Sequence, residues 1–295
     1  MKLALAQINP TVGDLEGNAR KIETFANQAR EAGASLVVFP ELSLCGYPPR
    51  DLFYRRDFLE EMEDTYRRLK EKISGIAVIL GFAATHPQHE GLPWQNVAVC
   101  FKNGQELVRY AKNLLPSYDI YDEPRYFAPL GRVTLFEFEN RPWGLTICED
   151  IWNLPGFVSF RYHFDPIALL AEQGVRVIVN ISASPFHLGK GKLRQDLLST
   201  QARRTKAHIL YCNQVGANDH LIFDGHSLVF SPEGELLAEA RDFEEDLLLV
   251  DLEEGRGERH PVSTRREESL LKALVLGVRD YFRKTGFRGA LVGLS

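Results

Sequence analysis

Short apolar runs rich in β-branched residues alternate along this chain with amphipathic helical patterns. Lys2–Gln7 has a strand pattern, and residues 16–32 repeat their apolar side chains at helical spacing. Residues 35–39 form a second short apolar strand, which stops at Pro40 and is followed by Glu41. Strands separated by a helix in this way are typical of βαβ units, so the alternation predicts a layered α/β fold.

Hairpin signals are mixed into the alternation. Two apolar-rich runs flank Asn103-Gly104, the strongest short-range hairpin signal, and the second run ends beside Lys112. The other predicted elements are helices at 58–73, 166–173 and 192–207, strands at 76–81, 133–138, 143–147, 175–181 and 209–214, and a closing antiparallel meander at 225–230, 236–240 and 247–252. Hairpins and βαβ units together predict mixed sheets covered by helices.

A change in composition marks a boundary near the end of the sequence. Residues 253–268 are charged and contain glycine, proline and serine, which is the composition of a linker. Residues 269–284 then show an amphipathic helical pattern, and 289–295 an apolar strand pattern. We therefore expect a main domain at 1–252, a linker at 253–268 and the first elements of a second domain at 269–295.

Charge, hydropathy and cysteine use argue against several classes of protein. The 35 basic and 40 acidic residues give a net charge of −5 without a long single-sign block, so a nucleic-acid or anionic-lipid surface is not indicated. No apolar stretch reaches the ~18 residues that a membrane span needs. The N-terminal residues lack a secretory pattern, and the 4 cysteines form no C-x-x-C pair. We therefore expect reduced thiols and a cytoplasmic location.

Three polar residues follow strand-like runs and are candidates for catalysis. Cys148 ends the strand at 143–147, Glu41 follows the strand at 35–39, and Lys112 follows the hairpin. Strand ends can converge on one crevice in α/β folds, although nothing in the spacing proves that these three do. Taken singly, Glu41 and Lys112 are better interpreted as solvated surface residues. Two carboxylates directly after the cysteine should raise the pKa of its thiol, so a nucleophilic role requires a base and a cation nearby.

Other patterns in the sequence carry weaker signals. Cys45, Cys100 and Cys212 lie in or beside apolar strand patterns, which indicates buried structural thiols. The 8 histidines are dispersed and lack metal-ligand spacing, so a metal hydrolase site is disfavoured. A cysteine–histidine enzyme stays possible if a distant histidine folds back. Residues 189–192, G-K-G-K, resemble an anion cradle but lack the spacing of a P-loop and are better interpreted as a basic helix start.

Three separated motifs resemble one known family. They are F-P-E-L at 39–42, A-K-N-L-L-P with a downstream D-E-P-R-Y-F within 111–127, and I-C-E-D-I-W at 147–152. Together they are similar to the carbon–nitrogen hydrolase, or nitrilase, superfamily. That resemblance implies an α/β fold in the form of a four-layer α-β-β-α sandwich.

Further motifs narrow the resemblance. They are G-Y-P-P-R-D-L at 46–52, S-A-S-P-F-H-L-G-K at 182–190, and the run from 213 to 227, in which Ala217 and His226 replace expected glycines. These segments resemble the glutaminase domain of bacterial glutamine-dependent NAD synthetases over about residues 1–252. The tail at 273–295 resembles the opening of the ATP-dependent domain of the same enzymes.

The resemblance implies roles for individual residues. It makes Glu41 the general base, Lys112 an oxyanion stabiliser and Cys148 the nucleophile, with Glu123 positioning the lysine. It also implies a glutamine pocket lined by Tyr47, Tyr118, Glu149 and Ser184, with Glu149 as a partner for the substrate ammonium and its backbone N–H as a second oxyanion donor. No metal and no cofactor are implied for the amidase domain, whereas ATP and magnesium would belong to the synthetase domain.

The expected function is hydrolysis of glutamine, supplying ammonia for conversion of deamido-NAD to NAD in a homo-oligomeric enzyme. Two alternatives stay open at this stage. The first is a free-standing amidase or nitrilase that acts on another small amide. The second is a non-catalytic scaffold for the synthetase half, which would have no need of Glu41, Lys112 and Cys148 together.

Overall fold

Two β-sheets form the centre of the molecule. The computed structural model describes residues 1–86, 92–158 and 162–294. The strands are β1 Lys2–Gln7, β2 Leu36–Val38, β3 Ala77–Thr85, β4 Trp94–Lys102, β5 Gln105–Ala111, β6 Leu135–Phe138, β7 Arg141–Ile147, β8 Val177–Ser182, β9 His208–Asn213, β10 Val215–Asn218, β11 Leu221–Asp224, β12 Leu228–Phe230, β13 Leu236–Glu239, β14 Asp246–Asp251 and β15 Arg256–Gly257. The α-helices are α1 Leu15–Glu31, α2 Arg56–Lys72, α3 Pro166–Glu172, α4 Lys190–Thr205 and α5 Arg266–Thr285, with 3₁₀ turns at Arg50–Tyr54, Glu123–Arg125 and Cys148–Ile151.

Each sheet contains a parallel centre. Within the described residues, the first sheet has 7 strands in the order β15-β14-β1-β2-β3-β4-β5, and the second has 6 in the order β13-β12-β9-β8-β7-β6. β1, β2 and β3 are parallel to one another, as are β7, β8 and β9. Strands in the middle of such sheets are covered on both faces, which explains their nearly continuous apolar sequences.

The sheets pack face to face, and helices cover their outer surfaces. One buried cluster joins side chains of both sheets, among them Leu5, Val38, Leu145 and Val179. α1 and α2 pack on the outside of the first sheet, and α3 and α4 pack on the outside of the second. Each large aliphatic side chain buried in these layers contributes about 1.5–3 kcal/mol to stability. The layers confirm the predicted α-β-β-α sandwich.

Local signals account for several element boundaries. Asp14 caps α1 by accepting a hydrogen bond from the Gly17 backbone N–H. Asn103 and Gly104 have φ angles of 50° and 80°, which suits the tight turn between the antiparallel β4 and β5. The hairpin predicted around these two residues is therefore confirmed.

The prediction of a closing antiparallel meander was wrong in its topology. β12 and β13 form a hairpin in the second sheet, but β14 crosses to the first sheet and pairs antiparallel with β1 along its whole length. Leu248 and Val250 of β14 thereby enter the core between the sheets. The hairpin of β10 and β11 was not predicted, because its glycine and polar residues weaken the strand pattern.

The region after residue 252 is packed against the main body. The segment predicted as a linker contains β15, which pairs with β14, and α5 begins at Arg266. Ala273 and Leu276 of α5 are buried against Val215 and Phe243. The strand predicted at 289–295 was wrong for residues 289–294, which are exposed and form no regular element, while Ser295 lies outside the described residues.

Candidate active site

Glu41 and Lys112 meet in the interior, each delivered by the end of a strand. β2 runs into Pro40 and Glu41, and β5 runs into Lys112. Lys112 Nζ donates to Glu41 Oε1 at 2.8 Å, and both side chains are completely buried. The other carboxylate oxygen, Oε2, accepts the Ala183 backbone N–H at 2.9 Å, just beyond the end of β8. Glu41 therefore joins the ends of strands from both sheets.

Glu123 forms the second partner of the lysine. Lys112 Nζ lies 2.8 Å from Glu123 Oε1, which also accepts the Tyr47 hydroxyl at 2.9 Å. Burial raises the pKa of Glu123 to about 7, Lys112 opposes the rise, and Glu41 adds to it. Burial alone would lower the pKa of Lys112, but Glu123 and Glu41 raise that pKa well above its ordinary value. Lys112 therefore remains a cation in this interior.

Cys148 occupies a strained turn where β7 ends. Its φ angle of 45° is in the left-handed region, which is unusual for a residue with a side chain. Gln201 of α4 donates to the Ile151 backbone carbonyl at 2.8 Å and so fixes the end of the turn. Backbone strain of this kind is often found at functional residues, where the surrounding contacts hold it in place.

The thiol of Cys148 lies in the electrostatic field of the same charged groups. Burial raises the pKa of Cys148 well above its ordinary value, Glu41 raises it further, and Lys112 opposes the rise. Of the two adjacent carboxylates expected to raise this pKa, only Glu149 is among the leading contributors, and it contributes less than Glu41. The resting thiol is therefore protonated, and attack on a substrate requires an acceptor for its proton.

Cys148 lines a cavity of about 490 Å³. Three of the four residues predicted for a glutamine pocket, Tyr118, Glu149 and Ser184, line the same cavity. Glu149 accepts hydrogen bonds from the hydroxyls of Tyr118 at 3.0 Å and Tyr162 at 3.1 Å. Burial raises the pKa of Glu149, while Lys112 and the two tyrosine hydroxyls oppose the rise.

Tyr47 lies apart from the other three residues of the predicted glutamine pocket. Like Glu41 and Lys112, it is not among the described residues that line the cavity. Its ring packs edge-on against Phe223 at 6.1 Å, and its hydroxyl is directed to Glu123. In this structure Tyr47 contacts the charged network behind the cavity.

Several residues of the site were missed by the sequence analysis. Asn96 donates to Glu41 Oε1 at 2.7 Å, and the buried Asp150 accepts backbone N–H groups on either side of the site. Lys190 lines the cavity, and its Nζ donates to the Pro185 carbonyl at 2.8 Å. Burial lowers the pKa of Lys190 to about 8. The I-C-E-D-I-W and S-P-F-H-L-G-K motifs contained Asp150 and Lys190, but only the fold shows their contacts.

The other cysteines are free and buried, as expected of structural thiols. Among the described residues, no group of three or more histidine, cysteine, aspartate or glutamate side chains could hold a metal ion. In that part of the chain, no helix is both long and apolar enough to cross a membrane.

Comparison with known proteins places the chain in context. Residues 2–259 match the carbon–nitrogen hydrolase family. The chain is 42% identical over 303 residues to a glutamine-dependent NAD(+) synthetase of Synechocystis sp., covering 99% of this chain and 54% of the relative. It is 36% identical over 334 residues to the Thermotoga maritima protein of the same name, covering 100% of this chain and 56% of the relative. The chain thus spans about half the length of these curated relatives.

Solved structures show the same architecture. A glutamine-dependent NAD+ synthetase from Acinetobacter baumannii, in complex with ADP, superposes with a TM-score of 0.88 at 33% identity, covering 98% of this chain and 53% of that one. An amidase from Nesterenkonia sp. superposes with a TM-score of 0.73 at 24% identity, covering 85% of this chain and 89% of that one. At this lower identity, the likeness to the amidase shows the fold alone.

Proposed function

The chain belongs to the carbon–nitrogen hydrolase family, and on that basis we propose that it hydrolyses the side-chain amide of glutamine through a thioester on Cys148. The observation that carries this proposal is the buried pair of Glu41 and Lys112, 2.8 Å apart, whose charges act on the thiol at the cavity. A thiol, a carboxylate and a fixed cation can supply the nucleophile, the base and the oxyanion stabiliser that amide hydrolysis without a metal uses.

The first half-reaction forms the thioester. Glu41 accepts the thiol proton as Cys148 Sγ attacks the amide carbon, and the carbonyl oxygen becomes an oxyanion. Lys112 and the backbone N–H of Glu149 stabilise that oxyanion, and each well-placed donor is worth about 3–4 kcal/mol. The carbon–nitrogen bond then breaks, and Glu41 returns the proton to the departing nitrogen, so that ammonia leaves.

The second half-reaction releases glutamate. Glu41, again unprotonated, takes a proton from a water molecule that attacks the thioester carbon. The same donors stabilise the second oxyanion, and the carbon–sulfur bond breaks. Glu41 then returns its proton to the sulfur, which restores the thiol.

Opposite charges on the cavity wall support an amino acid as substrate. Glu149, held by Tyr118 and Tyr162, suits an α-ammonium group, and Lys190 suits an α-carboxylate. Ser184, also in the wall, offers a hydroxyl to the same polar head group. A cavity lined in this way favours glutamine over simple uncharged amides.

We further propose that the ammonia serves ATP- and magnesium-dependent amidation of deamido-NAD in a longer, homo-oligomeric protein. The names of the relatives and the 54% coverage of the Synechocystis protein support this proposal. The boundary at residue 252 stays a prediction, and the family match extends to residue 259.

Ammonia release from glutamine tests the hydrolase. We expect the 295-residue chain to release ammonia and Cys148→Ala to release none, because the substitution removes the nucleophile and little volume. Cys45→Ala, a buried thiol outside the site, is the matched control and should retain activity. Turnover by a correctly folded Cys148→Ala protein would exclude the thioester mechanism.

The same preparation tests the remaining alternatives. Release of ammonia from acetamide or propionamide at a rate equal to that from glutamine would favour a general amidase. We also expect no NAD from deamido-NAD, ATP and magnesium, even with excess free ammonia. Formation of NAD by this chain would overturn the assignment of synthesis to a separate domain.

A further inference from the structure

Asp150 is a fully buried carboxylate between the two segments that carry Lys112 and Cys148. Its Oδ1 atom accepts the backbone N–H groups of Asn113 at 3.1 Å and Leu114 at 2.8 Å. These two residues directly follow Lys112, so one oxygen of Asp150 fixes the backbone from which the lysine side chain extends.

The second oxygen holds the nucleophile segment. Asp150 Oδ2 accepts the Ile147 backbone N–H at 2.9 Å, and Ile147 directly precedes Cys148. The same oxygen accepts the Tyr110 hydroxyl at 2.7 Å from β5. One carboxylate therefore connects the end of β5 with the strained turn after β7.

An ionised carboxylate suits this arrangement, in which three of the four donors are backbone N–H groups. Four donors point at two oxygens, and a carboxylate is the side chain that accepts at both positions without donating. An asparagine of the same size would turn an N–H₂ group toward two of the donors. At least one backbone contact would then become repulsive, because a backbone N–H cannot accept whereas the Tyr110 hydroxyl can, and the common anchor of the two segments would be weakened.

We propose that Asp150 is a positioning residue that sets the location of Lys112 relative to Cys148. It is not among the described residues that line the cavity, and it acts through the backbone on both sides of the site. This inference rests on the proposed function for its catalytic consequence. Displacing a catalytic group by about 1 Å can reduce turnover about 100-fold.

The test uses Asp150→Asn in the complete chain with two readouts. The first is steady-state glutamine hydrolysis, for which we expect kcat to fall about 100-fold with KM changed less than about threefold. The second is the pH dependence of Cys148 alkylation by iodoacetamide, followed by mass spectrometry. Asp150 itself is not among the leading contributors to the pKa of Cys148, whereas Lys112 lowers that pKa. Displacement of Lys112 should therefore dominate and move the alkylation midpoint to higher pH. In a Lys112→Met background, Asp150→Asn should produce no further shift.

Asp246→Asn is the matched control. Asp246 is also buried and accepts a backbone N–H, that of Arg241 at 2.8 Å, but it does not line the cavity. We expect this variant to unfold at a lower temperature with kcat and the alkylation midpoint unchanged. If Asp150→Asn behaves in the same way, the positioning role is wrong and Asp150 is purely structural.

If Asp150→Asn fails to fold, a milder variant tests the same proposal. Tyr110→Phe removes one donor to Asp150 Oδ2 and keeps the carboxylate. It should lower kcat by a smaller factor and shift the midpoint in the same direction, whereas unchanged values would overturn the proposal. The alkylation readout needs no glutamine. An inactive wild-type chain would therefore contradict the proposed function while leaving the test of Asp150 intact.

Discussion

Lys112 carries its charge in a place from which water is excluded. Its ammonium lies between Glu41 and Glu123, with 2.8 Å from Nζ to each carboxylate. We predict that Lys112→Met lowers glutamine turnover at least ~100-fold, because the oxyanion loses its cationic partner. Lys112→Arg should restore little of the turnover that Lys112→Met loses, because a planar guanidinium does not replace the compact ammonium group of lysine. Ammonia release measures both variants, and near-normal turnover of Lys112→Met would remove the lysine from the mechanism.

Glu123 gives the site a dependence on pH near neutrality. Its pKa is raised to about 7, so a fall in pH through that value protonates it and weakens its attraction for Lys112. We predict that kcat declines on the acidic side of about pH 7 and that Glu123→Gln, already uncharged, has a flatter profile. Steady-state rates from pH 5.5 to 9 measure both proteins, and identical profiles would contradict the assignment.

The same shift has a consequence for stability. The folded protein binds this proton more tightly than the unfolded chain, whose glutamate titrates near its ordinary value. The stabilisation that protonated Glu123 contributes is therefore fully present below the pKa that this residue has in the unfolded chain. It decreases as the pH rises toward about 7, the pKa of Glu123 in the folded protein. Glu123→Gln should remove that decrease, which urea unfolding at pH 5 and pH 8 can measure.

The motifs led to Glu41, Lys112 and Cys148, because each follows an apolar strand in a recognisable sequence context. Asn96 and Asp150 could not be assigned from sequence in the same way. Asn96 acts on Glu41 through the pairing of β4 with β3, and Asp150 acts through a turn that brings β5 near β7. Such contacts depend on tertiary packing rather than on local pattern.

At the level of elements, β3 supports the loop that presents Glu41. A Cβ atom at Gly81 would lie 2.6 Å from the Leu42 backbone nitrogen and 2.7 Å from the Pro40 carbonyl oxygen. We predict that Gly81→Ala destabilises the protein by about 1–3 kcal/mol and lowers turnover, because the loop must move. Gly289→Ala, which meets nothing within 4 Å, is the control. Thermal unfolding and ammonia release measure both, and a Gly81→Ala protein equal to its control would disprove the close approach.

The type of each element was more predictable than the strand with which it pairs. Apolar periodicity located α1, α2 and the parallel strands to within a few residues, because both faces of those strands are buried. β14 was found as a strand, but nothing in its sequence specifies pairing with β1 rather than β13. The choice follows from the core between the sheets, which Leu248 and Val250 complete.

At the scale of the whole molecule, α5 supports one wall of the cavity. Lys284 Nζ donates to the Ala217 carbonyl at 3.0 Å and to Asn218 Oδ1 at 3.1 Å, both in β10. The adjoining β11 contributes Leu221 and Ile222 to the cavity wall.

We predict that Lys284→Met lowers the unfolding temperature and raises KM for glutamine several-fold, with a smaller effect on kcat. Its half-buried contacts with β10 are lost, whereas the proposed chemistry at Cys148 is not affected directly. Arg283→Met, at the exposed neighbouring position, is the matched control. Calorimetry and steady-state kinetics measure both variants. An unchanged KM for Lys284→Met would show that α5 and the cavity are independent.

The support from α5 also bears on how this protein can be shortened. Glu41, Lys112 and Cys148 all lie in the first 148 positions. The helix that supports the hairpin of β10 and β11, α5, begins only at Arg266. We therefore expect a series of deletions from the carboxyl terminus to impair substrate capture long before it reaches any of the three proposed catalytic residues. Such deletions would identify residues that are needed for activity although they take no part in the chemistry. The shortest fragment that retains efficient activity would therefore be longer than the proposed catalytic motifs suggest.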